Sequence, residues 1–382
     1  MGDVAPGAFE LGVMPALPRA LTRVETIMLD AGARLDRFMM RRFVRRAVFP
    51  APRDGDALRG RLERAAAFYA DPRFLADPDG FFAPPTPLCA ETRRLRALPD
   101  GQLLELRYAS DFVPVFPEAR DGTVAATARV PGIARWWRHD APGRPAMLCV
   151  HGFGGGYLWL ETLAFEAQRF YRAGLDVLIA VLPHHGPRAP GAAYSGAAFF
   201  DVDLVQTNEA FAQTIYELRA LVRYLRAAGA SEVGAFGMSL GGYTTALLAS
   251  VEADLAFAVA MIPLTSLPEM MWAQGAGDAR LERAVEHGWN PDMLRAFFDV
   301  HAPLRRACKV PACGRLVIGA LGDRICPPFH ADALWRHWGR PRIHWYPGGH
   351  LAQFRRRAAL REVRTLLREA GILPVRRPRP LS

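Results

Sequence analysis

Gly237-Met238-Ser239-Leu240-Gly241-Gly242 follows the short apolar run Val233 to Phe236 and precedes Tyr243 to Ala249, whose composition predicts a helix. A strand that turns at once into a helix holds one residue at the tip of the turn, with its side chain open above the sheet, and here that residue is Ser239. Glycines two places before and two after fit because the turn presses their Cα atoms against neighbouring backbone, where a Cβ has no room. A glycine-rich turn with a bystander serine would look the same over six residues, so the rest of the chain has to decide.

Outward from that turn, strands and helices alternate, as a parallel sheet covered on both faces requires. The pattern predicts strands over 146–150, 177–182, 256–261, 315–321 and 342–345. It predicts helices over 158–172, 202–228, 331–338 and 353–369. Ahead of them, short apolar or alternating runs at 103–108, 123–130 and 134–139 predict antiparallel strands.

A serine hydroxyl becomes a useful nucleophile only when a base takes its proton, and the base in turn needs a carboxylate to orient it. With the G-x-S-x-G turn, the strand-helix succession and the loop His151-Gly152-Phe153-Gly154-Gly155-Gly156, the chain resembles the α/β-hydrolase superfamily over roughly residues 100 to 370. The resemblance implies a chain order of serine, acid, histidine. It selects His350 in Pro347-Gly348-Gly349-His350, between the last strand and the last helix, as the base, and Asp323 in Gly322-Asp323-Arg324-Ile325-Cys326-Pro327 as the acid. All three residues then fall on loops at the carboxyl ends of strands, the edge where open α/β sheets place ligands. Asp299 is a weaker substitute for the acid. The resemblance further implies an oxyanion hole made by the backbone N–H of Leu240 and that of Phe153 or Gly154. A phosphate-binding reading of the glycine loop fails, because neither G-x-G-x-x-G nor a P-loop spacing is present.

Two other segments bear on a substrate pocket. His184-His185-Gly186-Pro187-Arg188 follows a predicted strand and should stand on the same sheet edge as His151 and Met238. There it could line the pocket or brace the oxyanion loop, with Arg188 available to a negatively charged substrate. Metal binding is not expected of adjacent histidines that diverge on extended backbone without a third ligand. About residues 264–310 an insertion carries Met270, Met271, Trp272, Trp289, Phe297 and Phe298, which suit either a cap over an apolar acyl group, with Met271 and Trp272 in the pocket, or ordinary core packing. The Pro-His-His-Gly-x-Arg segment, the long helix before the elbow and the N-terminal region narrow the resemblance to the abhydrolase-domain-eighteen type.

Residues 1–100 are expected to be a helical extension, with helices over 21–48 and 56–70 and a Pro-rich linker at 82–87. The first helix, with Arg41, Arg42, Arg45 and Arg46, either packs on the hydrolase body with a solvated basic face or touches an anionic membrane peripherally. The tail 376–382 is basic and expected to be disordered. The chain has 382 residues, 51% of them hydrophobic, and a net charge of +10 carried almost wholly by arginine, since Lys309 is the only lysine. The arginines are dispersed and no nucleic-acid-binding motif accompanies them, so no nucleic acid partner is expected. Five cysteines without a C-x-x-C spacing, no leader pattern and no long apolar run predict a cytoplasmic protein with reduced thiols.

The sequence therefore predicts an α/β-hydrolase fold, a mostly parallel sheet flanked by helices, acting without cofactor on a small-molecule or lipid ester. Thioesterase, peptidase and acyltransferase chemistry would use the same three residues, and a noncatalytic scaffold would be expected to have lost one of them.

Overall fold

The computed structural model describes residues 19–41, 55–191, 193–201, 203–275, 279–286 and 289–374. Helix α1 (Arg23–Met39) is followed by α2 (Gly55–Tyr69), α3 (Arg73–Ala76), β1 (Ala90–Leu98), β2 (Gly101–Tyr108), α4 (Thr123–Ala128), β3 (Gly132–His139) and β4 (Ala146–Val150). Next come α5 (Leu158–Ala164), α6 (Ala167–Tyr171), β5 (Asp176–Val181), α7 (Leu204–Ala227), β6 (Val233–Met238), α8 (Leu240–Val251) and β7 (Ala258–Met261). The chain ends with α9 (Leu267–Gly275), α10 (Ala279–Glu286), α11 (Pro291–Phe298), β8 (Arg315–Ala320), α12 (Pro328–His337), β9 (Arg342–Tyr346) and α13 (Arg356–Glu369).

The nine strands form one sheet in the order β1-β2-β3-β5-β4-β6-β7-β8-β9. β1, β2 and β3 pair antiparallel, β3 meets β5 antiparallel, and every pair from β5 to β9 is parallel. The parallel strands β4 to β8 are largely apolar because both faces are buried, whereas the edge strand β9, Arg342-Ile-His-Trp-Tyr346, is mixed and mostly half-buried. Leu148 and Val150 of β4 and Leu178 and Ala180 of β5 join one core, shared with α7, α8 and α12. Their neighbours Met147, Cys149, Val177 and Ile179 point into a second core, shared with α6 and α13.

Three expectations change. Residues 123–128 are a helix: alternating Thr, Val and Ala fit either period, and burial of Val124 and Ala128 one turn apart favours the helix. Thr127 Oγ1 also donates back to the carbonyl of Thr123 at 3.0 Å. The first 100 residues are not all helical, since they include β1. That strand is Ala90-Glu-Thr-Arg-Arg-Leu-Arg-Ala-Leu98, half- to fully exposed and paired only with β2, so it shows the charges that blunt a sheet edge rather than an apolar alternation. The helix expected over 158–172 is two helices, broken where Glu166 takes a left-handed conformation, φ 46°.

The insertion after β7 forms three helices. Phe297 and Phe298 are buried in its core, Phe297 against Tyr69 with ring centroids 5.5 Å apart. Met271 is buried in the main core and Trp272 packs half-buried against it, the core-packing alternative. α9 nonetheless borders the loop that carries Asp323, because Gln274 Nε2 donates to the Arg324 carbonyl at 3.0 Å. The tail 376–382 and Arg42, Arg45 and Arg46 lie outside the described residues. All five cysteines are unpaired, and no helix among the described residues is long and apolar enough to cross a membrane.

Candidate active site

Ser239 closes β6 and begins α8 with φ 58° and ψ −117°, a conformation that costs a non-glycine residue about 1–3 kcal/mol and is held by its surroundings. The two flanking glycines permit it. A Cβ on Gly237 would lie 1.9 Å from the carbonyl oxygen of Gly241, and one on Gly241 would lie 1.9 Å from that of Val150.

The structure brings the three residues chosen from the sequence together. His350 Nε2 is 2.8 Å from Ser239 Oγ, and His350 Nδ1 is 2.7 Å from Asp323 Oδ2. Asp323 is held from behind, its Oδ1 accepting from the N–H groups of Ile325 at 2.9 Å and Cys326 at 2.7 Å. Burial pushes the Asp323 carboxyl up from its ordinary value against the pull of His350. For His350, burial opposes the charged form, but the charge and hydrogen bond of Asp323 prevail and raise its pKa above the usual 6.5. With Asp323 on Nδ1, the Nε2 atom is left to face the serine hydroxyl.

The candidate oxyanion donors stand beside the serine. Leu240 is the first residue of α8, so its N–H has no carbonyl one turn back. A Cβ on Gly152 would be 3.2 Å from Ser239 Cβ, which places the glycine loop directly against Ser239. Gly155 N–H closes that loop on the carbonyl of Gly152 at 3.1 Å, and Gly156 N–H donates to Glu161 Oε1 at 3.0 Å. Among the described residues, neither Phe153 N–H nor Gly154 N–H is taken by a protein acceptor.

The histidines of the pocket prediction lie behind this loop. His151 accepts from Leu182 N–H at Nε2, 3.1 Å, so its Nδ1 carries the hydrogen and donates to the Gly152 carbonyl at 2.8 Å. Burial lowers its pKa to about 4 and keeps it neutral. His185 is fully buried, edge-on to His151 at 5.0 Å, and bonds the Pro183 carbonyl through Nδ1. His184 faces Gln206 on α7 at 3.0 Å. Ser195 ties the segment to the loop by accepting from Gly186 N–H at 2.7 Å and donating to the Gly155 carbonyl at 2.5 Å. These residues brace the glycine loop. Arg188 is not open to a substrate: buried, it makes a two-pronged pair with Glu217 at 2.7 and 2.8 Å and donates to the Val181 carbonyl. Met238 ends β6, buried in the second core. Among the described residues no group of three or more His, Cys, Asp or Glu side chains is arranged to hold a metal ion.

Two Mycobacterium tuberculosis proteins are similar to this chain. Uncharacterized protein Rv2627c, from strain ATCC 25618 / H37Rv, is 33% identical over 310 residues, covering 80% of this chain and 74% of that one. The chain belongs to its family. Uncharacterized protein MT2702, from strain CDC 1551 / Oshkosh, is 32% identical over the same length and coverage. No family model matches the chain. Among solved structures, Acetyl Xylan Esterase 1 from Thermoanaerobacterium sp. JW/SL YS485 superposes with TM-score 0.55 at 16% identity, covering 85% of this chain and 95% of that one. An acetyl xylan esterase from Paenibacillus sp. R4 gives TM-score 0.53 at 14% identity, covering 85% and 99%. This member of the Rv2627c family therefore has the α/β-hydrolase fold.

Two residues at the site were not singled out from the sequence. One is Cys326, buried beside Ser239; burial pushes its thiol pKa well up, so it stays a neutral neighbour of the serine. The other is Asp36 of α1, fully buried, whose Oδ2 accepts from His350 N–H at 2.7 Å. Helical periodicity ranked α1 by its apolar residues, of which Val24, Leu35 and Phe38 are exposed. Its buried residues are Glu25, Gly32, Ala33 and Asp36, and the only hint in the sequence was a carboxylate four residues after a glycine on one helix face.

Proposed function

We propose that the protein is a serine hydrolase that cleaves a carboxylic ester through an acyl-enzyme on Ser239. The observation that carries this is the continuous chain Ser239 Oγ, His350 Nε2, His350 Nδ1, Asp323 Oδ2, with links of 2.8 and 2.7 Å. Ser239 Oγ adds to the ester carbonyl while His350 takes its proton, and Asp323 holds the imidazole in the right tautomer and stabilises the imidazolium. Leu240 N–H and Phe153 or Gly154 N–H receive the oxyanion. His350 then protonates the leaving alkoxide, which departs as the alcohol. Water, deprotonated by His350, attacks the acyl-enzyme, and the carboxylic acid leaves as Ser239 regains its proton. No metal or organic cofactor takes part in this scheme.

That the two solved structures of this fold are named esterases is our reason for preferring an ester to an amide substrate; thioesterase, peptidase and acyltransferase chemistry share the triad. A noncatalytic scaffold is disfavoured because all three residues are present and hydrogen-bonded. The narrower likeness to the abhydrolase-domain-eighteen type rests on the Pro183 to Arg188 segment, the long helix before Ser239 and the N-terminal region.

An apolar or lipid ester, met at a membrane surface, is the substrate class we favour. The specific support is α1, which turns Val24, Ile27 and Phe38 outward, 54%, 60% and 61% exposed, beside the exposed arginines Arg34, Arg37 and Arg41. An apolar stripe flanked by cations suits an anionic lipid surface. Turnover of p-nitrophenyl esters of graded chain length tests the reading. Hydrolysis that is lost in Ser239→Ala supports it, a preference for longer chains supports the apolar substrate, and cleavage that persists in Ser239→Ala removes the acyl-enzyme.

A further inference from the structure

The catalytic histidine loop and the acid loop leave the ends of different strands, and a separate element joins them. Asp36, on the buried face of α1, uses both carboxylate oxygens. Oδ2 accepts from His350 N–H at 2.7 Å and from Arg324 N–H at 3.1 Å, and Oδ1 accepts from Leu351 N–H at 3.1 Å. One side chain thus holds the residue that carries the base, the residue after it, and the residue after the acid.

The helix that delivers Asp36 is fitted to the loops at backbone distance. A Cβ on Gly32 would lie 2.1 Å from the Gly349 nitrogen, and one on Gly349 would lie 2.6 Å from Asp36 Oδ2. Gly322, just before the acid, has room for no Cβ either, with the Leu29 carbonyl oxygen at 2.5 Å and the Gly348 carbonyl oxygen at 2.7 Å. The two loops also bond each other directly, Gly322 N–H to the Gly348 carbonyl at 2.7 Å. Glu25, one helix face along from Gly32, ties α1 to Arg355 beyond the histidine loop at 2.7 Å. A buried carboxylate with three backbone donors from two catalytic loops is a costly feature if its only purpose is to dock a helix, a task that apolar contacts perform without desolvating a charge.

We infer that Asp36 is a positioning residue for the triad, and that α1 completes the active site by clamping the His350 and Asp323 loops in register over Ser239. This rests on the serine hydrolase reading. Asp36 touches no reacting atom. It fixes the main chain at His350, so that Nδ1 meets Asp323 and Nε2 meets Ser239 together, and misplacement by about 1 Å costs on the order of a hundredfold in rate.

Asp36 also acts on His350 by charge. The charged groups facing His350 are Asp323 from the loop after β8 and Asp36 from α1, both of which favour the imidazolium. Ser239 and the Cys326 thiol are neutral. Tyr346, from the end of β9, is kept neutral by burial, and Arg356 of α13 lies beside Tyr346.

The test is the rate of fluorophosphonate labelling and of ester turnover, as a function of pH, for wild type, Asp36→Asn, Gly32→Ala and the outward-facing control Asp30→Asn, with folding checked by circular dichroism and thermal melting. Asp36→Asn is expected to label at least about tenfold more slowly and to lose kcat rather than raise KM, with its acid limb moved to lower pH. Gly32→Ala keeps the charge and suits a helix, but drives a methyl group into Gly349; it too should slow labelling at least about tenfold, and it carries the test should Asp36→Asn fail to fold. Asp30→Asn should match wild type. Folded Asp36→Asn or Gly32→Ala with wild-type labelling overturns the inference and leaves the hydrolase reading standing. A slowing that only tracks the unfolded fraction, with an unmoved acid limb, also overturns it. A folded wild type that neither labels at Ser239 nor cleaves esters removes the hydrolase reading and this inference with it.

Discussion

Asp36 and His350 are 314 residues apart in the chain, yet the carboxylate of one lies 2.7 Å from the backbone nitrogen of the other. The first described helix is therefore built into the candidate active site. Truncation at residue 100, which would spare Ser239, Asp323 and His350, removes that contact together with β1 of the sheet.

Replacing Asp323 by Asn removes the negative charge that supports the imidazolium and offers an N–H where His350 Nδ1 needs an acceptor. Turnover should fall on the order of 10³- to 10⁴-fold with a much smaller change in KM. Steady-state ester hydrolysis by Asp323→Asn checks this, and a loss below tenfold would assign the acid to another residue.

The pH profile follows from the same pair. His350 must be neutral to take the Ser239 proton, and its pKa is raised, so the imidazolium persists to higher pH than in a free histidine. kcat/KM should rise with pH along an acid limb centred above 6.5, and that limb should move down in Asp323→Asn. A wild-type limb at or below 6.5 would mean that the Asp323 charge does not govern His350.

Gly241 permits the close crossing of α8 and β4 under the serine. Gly241→Ala places a methyl group 1.9 Å from the Val150 carbonyl and should cost at least about 2 kcal/mol, read as a lower urea midpoint, with turnover lost as the elbow shifts.

Arg188 and Glu217 are a buried pair, 2% and 4% exposed. Arg188→Met leaves the Glu217 charge unpaired and should destabilise by about 3–5 kcal/mol, most of it recovered in Arg188→Met/Glu217→Leu. If Arg188 instead met anionic substrates, the single variant would stay stable and lose selectivity for charged esters.

The sheet edge that carries Ser239, Asp323 and His350 was legible in the sequence, because strands buried on both faces are apolar runs and the loops that follow them contain glycine for steric reasons. Ser239, Asp323 and His350 could be chosen by order, since each follows a strand. β1 was not legible, as its exposed arginines obey no apolar period. Residues 123–128 were ambiguous because Thr and Ala serve a helix or a strand. Arg188 read as a free cation because its partner, Glu217, lies on a helix that only the fold brings near. Asp36 was hidden for a similar reason: α1 packs through two carboxylates and two small residues, while Val24, Ile27, Leu35 and Phe38 face out.

That outward face gives a further test. Ile27→Ser/Phe38→Ser should weaken flotation with anionic vesicles several-fold and leave hydrolysis of short water-dispersed esters unchanged; unaltered flotation would remove the membrane reading.

The most direct measurement is the intact mass of the protein after fluorophosphonate treatment, for wild type, Ser239→Ala and His350→Ala. A single adduct on the wild type, absent from Ser239→Ala and strongly slowed in His350→Ala, is the expected result. An adduct of equal yield on Ser239→Ala, or none on folded wild type, would contradict a nucleophilic Ser239.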